Sequence, residues 1–363
     1  MRKETIADHK QEHGRKVLGV LPILYPKEIL TALDILAVEV WGPPGPPRGA
    51  SAGRIQTYVC PVVRNAMAFL TDGGAESVDG LLIPHTCDSL QGLATVLPDF
   101  GHWKKPLFRF IHPKGERRQS TEGYMKNELK SLTKDLEAFS GRSVSSEALW
   151  RAIRLHRDID GLRAELLQKR EQLPFGAREL YTLLRRGEWL WPEDHLAELK
   201  EAAKRLGEGA PQKGVPVFLS GIVPEPMNIF DALEQAGARI VGDDYAALSR
   251  RILPTPATMK NNGDPFDALT ELAFSAPPCS TRASLVDFRR ARLLDSVKAS
   301  GAKGVIFHIV KFCEPELFDL PHMTKALSER KIPYLVVESE LEAELSGQTV
   351  TRLEAFVETA MRA

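Results

Sequence analysis

Three of the four cysteines in this chain share one local context. Cys60 lies in TYVCPVVRNAMAFL, Cys87 in PHTCDSLQGLATVL and Cys313 in GVIFHIVKFCEPELF, each directly before an amphipathic run that reads as a helix. Pro61 suits the first position of such a helix. The positive end of a helix favours a thiolate, the form of cysteine that binds iron or zinc. Three thiolates converging between two lobes would leave a metal centre with an open fourth position. Zinc is the rival to iron, with His85 near Cys87 completing a Cys3His set, although structural zinc sites usually draw on close ligand pairs. Any one of these cysteines taken singly reads first as a packing residue; the shared context argues for more. Cys279, in SAPPCSTRASL, sits in a proline-rich loop; it could be a fourth ligand but reads first as structural or incidental.

The elements that must position these residues alternate. KVLGVLP (16–22), AVEVWG (37–42), VDGLLIPHTC (78–87) and KPLFRFIHP (105–113) are apolar runs separated by helical segments, with the loop-forming PPGPPRGASAG (43–53) after the second. Such alternation implies βαβ units and a parallel sheet. From about 119 to 208 the pattern changes to long charged amphipathic helices. Alternation returns with GVPVFLSGI (214–222), ARIVGDDY (238–245), GVIFHIVKFC (304–313) and PYLVVESE (333–340). The Gly242-Asp243-Asp244 stretch reads as a turn with a capping role, and the last helix starts near a capping box of Thr351 and Glu354. The expected fold is α/β. A first lobe spans 1–140 with Cys60 and Cys87, a helical segment 141–210, and a second lobe 211–363 with Cys313. Each lobe then carries a cysteine at the carboxyl end of a parallel strand, where open α/β sheets bind ligands.

Composition narrows the function. The 363 residues include 48 basic and 48 acidic side chains, so no net charge argues for nucleic acid or an anionic membrane. No apolar run spans a bilayer and the polar N-terminus lacks a signal-peptide core, so a soluble, cytoplasmic protein is expected. Four dispersed cysteines suit a reducing compartment.

The succession GVLPILYPKEILTA, VEVWG, YVCPVVRNAM, VDGLLIPHTCDSL, KFCEPELFDLP, IPYLVVESE and GQTVTRLEAF resembles the 2-hydroxyacyl-CoA dehydratase and benzoyl-CoA reductase subunit family, from about residue 16 to the C-terminus. The resemblance implies two Rossmann-like lobes with extra helices, and a [4Fe–4S] cluster on Cys60, Cys87 and Cys313, with Cys279 outside the ligand set. It implies low-potential one-electron reduction of a CoA thioester to a ketyl or aryl radical, ending in dehydration or further reduction. A separate ATP-hydrolysing iron–sulfur activator protein would drive the electron; this chain has no GxxxxGK[ST] loop. The implied partner is a related second subunit, or a second copy in a homodimer with a double-cubane cluster; a two-lobed scaffold without redox chemistry is the alternative outside enzymes. Near the site, Tyr25 follows the first strand, where its hydroxyl could donate a hydrogen bond or proton or merely pack beside Pro26. His85 and Lys311 flank ligand cysteines and would stabilise negative charge on the cluster or thioester oxygen.

Overall fold

The protein is described by a computed structural model covering residues 2–42, 55–210, 213–255 and 263–362. The loop expected over 43–53 lies outside the described residues. Helix α1 (Arg2–Gln11) precedes β1 (Lys16–Val20), α2 (Lys27–Ala32), β2 (Ile35–Glu39), α3 (Pro61–Thr71), β3 (Gly80–Pro84), α4 (Asp88–Phe100) and β4 (Leu107–Phe110). Four helices follow: α5 (Gln119–Ser140), α6 (Ser146–Gln168), α7 (Ala177–Arg186) and α8 (Pro192–Lys204). Alternation then resumes with β5 (Val215–Gly221), α9 (Ile229–Gln235), β6 (Ala238–Tyr245), α10 (Pro265–Ser275) and α11 (Val286–Ser300). The chain ends with β7 (Gly304–Val310), α12 (Glu314–Glu329), β8 (Tyr334–Ser339) and α13 (Gly347–Arg362).

Both sheets are wholly parallel and repeat one strand order, β2-β1-β3-β4 and β6-β5-β7-β8. The fold is therefore α/β with two Rossmann-like lobes, as the alternating pattern predicts. Every residue of β3 and β7 is buried, because helices cover both faces of a parallel sheet. That is why these strands read as continuous apolar runs and not as alternating ones. In each sheet the order reverses between the first and third strands, β1 and β3 or β5 and β7. This reversal creates the crevice where such sheets bind ligands.

The helical segment is part of the core. Met125, Leu129, Leu132 and Leu136 line one face of α5 at three- and four-residue spacing. They pack in one hydrophobic cluster with Leu18 of β1 and Ile29 of α2. Ala268, Leu269 and Leu272 of α10, from the second half of the chain, complete that cluster. No helix among the described residues is long and apolar enough to cross a membrane.

Two local expectations are corrected. The last helix begins at Gly347, one turn before the supposed Thr351–Glu354 box, and Ser346 Oγ accepts the Thr349 N–H at 3.2 Å. Asp243 and Asp244 are not a turn but the buried end of β6. They tolerate burial because each has a hydrogen-bonding partner, one 62 residues away and one six residues on. Asp243 accepts from the Tyr181 hydroxyl at 2.7 Å and Asp244 from Arg250 Nε at 3.0 Å.

Candidate metal centre

Cys60, Cys87 and Cys313 are the N-cap residues of α3, α4 and α12. Cys87 follows β3 and Cys313 follows β7, so the two occupy equivalent places at the switch points of the two sheets. Cys60 enters from the β2–β3 crossover. All three belong to one hydrophobic cluster that joins the lobes, with Cys60 buried and the other two partly exposed. The turn before Cys313 requires Phe312 at φ +60°, a left-handed conformation a phenylalanine rarely adopts. Such strain persists where surrounding structure over-determines the backbone.

The three thiols feel one another electrostatically. Burial, then the neighbouring Cys87, pushes the Cys60 thiol up to about 12. Burial also raises Cys87, against the N–H groups of Leu90 and Ser89. Cys313 is raised well above its usual range by burial, then by Glu316, Cys60 and Cys87, against the Glu316 N–H. The helix-end preference for thiolate is thus outweighed, because desolvation of a buried anion exceeds what the first-turn N–H groups return. A bound cation reverses that balance, since a coordinating thiol is deprotonated outright.

Among the described residues, no group of three or more His, Cys, Asp or Glu side chains converges tightly enough to hold a single metal ion. A cubane makes a different demand, since it spreads its thiolates over separate irons. Three mutually interacting sulfurs, each faced by helix N–H donors and sunk in an apolar wall, fit that demand.

The flanking residues fall into two sets. His85 places Nε2 3.8 Å from Asp88 Oδ1, beside Cys87. Lys311 Nζ lies 2.5 Å from Glu340 Oε1, which raises the lysine pKa, and Arg64 of α3 reaches Glu340 Oε2 at 3.5 Å. This trio ties the helix of Cys60 to the second lobe. Tyr25 joins a different network. Its hydroxyl donates to Glu39 Oε1 at 3.0 Å, and burial followed by the Glu39 charge holds its pKa well above the usual tyrosine range. It lines an internal cavity of about 60 Å³ together with His156, Arg163, His195 and Arg251.

An open groove of about 850 Å³ runs past the first turns of α3, α4 and α12. Its walls include Tyr58, Val63, Leu93 and Phe100, together with Asp88 and Glu314, the residues next after Cys87 and Cys313. Sequence reasoning missed the polar groups behind the site. Arg250, Cys279, Ser280, Arg289 and Glu316 form a buried network under α12. Only an acidic residue in the first turn of α12 hinted at it.

The fold and the three cysteines that cap its helices define a two-lobed α/β protein with three neighbouring thiols in one apolar cluster. Known proteins make the relationship specific. The chain belongs to the family described as 2-hydroxyglutaryl-CoA dehydratase, D-component, whose model matches residues 22–360. A subunit of the benzoyl-CoA reductase of Thauera aromatica is 31% identical, over 92% of this chain and 87% of its own length. The beta subunit of lactoyl-CoA dehydratase of Anaerotignum propionicum is 25% identical, over 98% of this chain and 95% of its own. The beta subunit of (R)-2-hydroxyglutaryl-CoA dehydratase of Acidaminococcus fermentans is 26% identical with the same coverage.

Proposed function

We propose that this chain is the iron–sulfur subunit of a cytoplasmic, low-potential reductase or dehydratase acting on an acyl- or aryl-CoA thioester. In this reading Cys60, Cys87 and Cys313 hold a [4Fe–4S] cluster. The observation that carries it is the equivalent placement of Cys87 and Cys313 at the two switch points, with Cys60 in the same apolar cluster. Bound there, the cluster supplies one-electron chemistry at low potential.

The chain's own residues have separate tasks. N–H groups from the first turns of α3, α4 and α12 face the sulfurs and stabilise their charge, a lever that tunes such centres. The apolar wall restricts water around them. His85, two residues before Cys87, and Lys311, two before Cys313, would balance negative charge on the cluster or on a thioester oxygen. Tyr25 enters as the residue that seats Glu39 between the lobes. The groove beside Asp88 and Glu314 is the approach for the thioester or for the face of a second subunit. The naming of two relatives as beta subunits favours a related second subunit over a homodimer. The electron would come from a separate ATP-hydrolysing iron–sulfur activator protein.

The test is iron and acid-labile sulfide analysis of protein purified without oxygen, followed by assay with activator and a panel of 2-hydroxyacyl- and aryl-CoA esters. About four irons per chain, with absorption near about 400 nm that bleaches on reduction, is the expected result. A colourless, iron-free chain that still folds would leave the scaffold reading in its place.

A further inference from the structure

One turn beyond Cys313, α12 is anchored by a buried carboxylate. Glu316 is one helical turn after Cys313 and only 3% exposed. Its Oε1 accepts from Arg250 Nη1 at 2.8 Å and from Ser280 Oγ at 2.5 Å, and Arg289 Nη2 approaches it at 3.5 Å. Arg250 is itself fully engaged. Nη2 donates to the Gly221 carbonyl at the end of β5 at 2.9 Å, and Nε to the Asp244 carbonyl at the end of β6 at 2.7 Å. Nη1 also reaches Cys279 Sγ at 3.5 Å. Arg289, on α11, is held in turn by Asp319 of α12 at 2.5 Å.

The arrangement has two consequences for Cys313. Glu316 donates its backbone N–H to the Cys313 carbonyl at 3.1 Å in the first turn of α12, while its side chain is clamped to the carboxyl ends of β5 and β6 through Arg250. The first turn of α12, which carries Cys313, is therefore held by a side-chain network whose members do not line the groove and bond neither Cys60 nor Cys87. The second consequence is electrostatic. Burial opposes ionisation of Glu316, but Arg250 and Arg289 outweigh it and hold the carboxyl at about 2. A permanent negative charge thus stands one turn behind one sulfur, balanced by two guanidinium groups.

We propose that Glu316, clamped by Arg250, Arg289 and Ser280, is the positioning residue for the Cys313 sulfur, and that the balance of charge in this clamp sets the reduction potential of the centre that Cys313 helps to hold. The inference rests on the cluster reading above. Cys279 belongs to the clamp as a polarised thiol. Burial raises its pKa, but Arg250, Arg289 and Arg282 lower it, and its sulfur lies 3.5 Å from Arg250 Nη1.

The test is a redox titration, followed by electron paramagnetic resonance, of protein purified without oxygen together with any second subunit that accompanies it. Three forms are compared: the natural chain, Glu316→Gln and Arg289→Gln. Glu316→Gln removes the negative charge and leaves two guanidinium groups, so its potential should move upward. Arg289→Gln removes a positive charge and leaves Glu316 with Arg250, so its potential should move downward with iron content retained. Opposite shifts support the proposal. Iron-loaded variants whose potentials do not move, or move in the same direction, overturn it and leave the cluster reading intact. If Glu316→Gln does not fold, Arg289→Gln decides alone: a downward shift supports the clamp and an unchanged potential overturns it. A natural chain that holds no iron overturns both readings together.

Discussion

Arg251 and Glu39, 212 residues apart in the chain, form a buried ion pair that joins the second lobe to the first. Arg251 Nη1 donates to Glu39 Oε2 at 3.1 Å, and the second guanidinium nitrogen bonds the other carboxylate oxygen. Trp41 Nε1 adds a bond to the same carboxylate at 3.1 Å. Truncating one member of a buried pair leaves an uncompensated charge, which costs about 3–5 kcal/mol. Arg251→Met should therefore lose about that much stability in urea unfolding. Glu39→Gln combined with Arg251→Met should recover most of it. A single variant as stable as the natural protein would deny the pair this role.

Tyr25 feels the same pair through its hydroxyl. Tyr25→Phe removes a hydrogen bond to a charged acceptor and should cost about 1.5–3 kcal/mol of stability. Turnover should stay within a few-fold. A loss of about 10²-fold or more at unchanged iron content would instead make Tyr25 a proton donor.

The four cysteines should separate by iron content. Cys60→Ala, Cys87→Ala and Cys313→Ala are each expected to lose iron and sulfide while far-ultraviolet circular dichroism stays that of the folded chain. Cys279→Ser should keep its iron, because that sulfur faces Arg250 and Thr281 and not the other three. Iron analysis of the four proteins decides the matter, and retained iron in Cys313→Ala would remove the second lobe from the site.

The groove can be narrowed without touching a cysteine. Gly92 lines it on α4, and a Cβ there meets nothing within 4 Å. Replacing a helix-interior glycine also favours the helix, by roughly half a kcal/mol or less for an aromatic residue. Gly92→Phe should thus fold normally and hold its iron. If the thioester or its partner subunit uses the groove, turnover should fall at least about tenfold. Unchanged turnover and subunit association would show that the approach lies elsewhere.

Acid should destabilise the chain through buried histidines. Burial lowers His308 and His112 to about 4, with Arg282 also acting on His112. Burial and then Arg163 lower His195 to about 3. In the unfolded chain these groups bind protons below about pH 6.5, so between there and pH 4 the unfolded state carries more protons than the folded one. Stability should be fully present above about pH 6.5 and be lost as pH falls, by up to about 1.4 kcal/mol per unit for each histidine. Urea midpoints measured from pH 7 to pH 4 give the slope, and a flat profile would contradict this account.

Much of the architecture is legible because its causes are local. β3 and β7 read as strands because parallel strands covered on both faces are continuously apolar, and α3, α4 and α12 start where a cysteine precedes a helix-starting residue. Those rules placed all eight described strands near their observed spans and put the three cysteines at helix N-caps. Where a signal depended on partners outside the strand the local reading failed. Asp243 and Asp244 look like a turn until Tyr181 and Arg250 are brought to them.

The sequence by itself therefore determined the two α/β lobes and the caps that present Cys60, Cys87 and Cys313, since strand burial and helix starts are written in neighbouring residues. Only the tertiary structure decided that Cys313 joins the other two in one apolar cluster, because that follows from the shared strand order and from packing between the lobes. It also decided the state of the sulfurs. The helix ends alone favour thiolates, but burial in the assembled core costs more than those dipoles return, so each bare thiol keeps its proton.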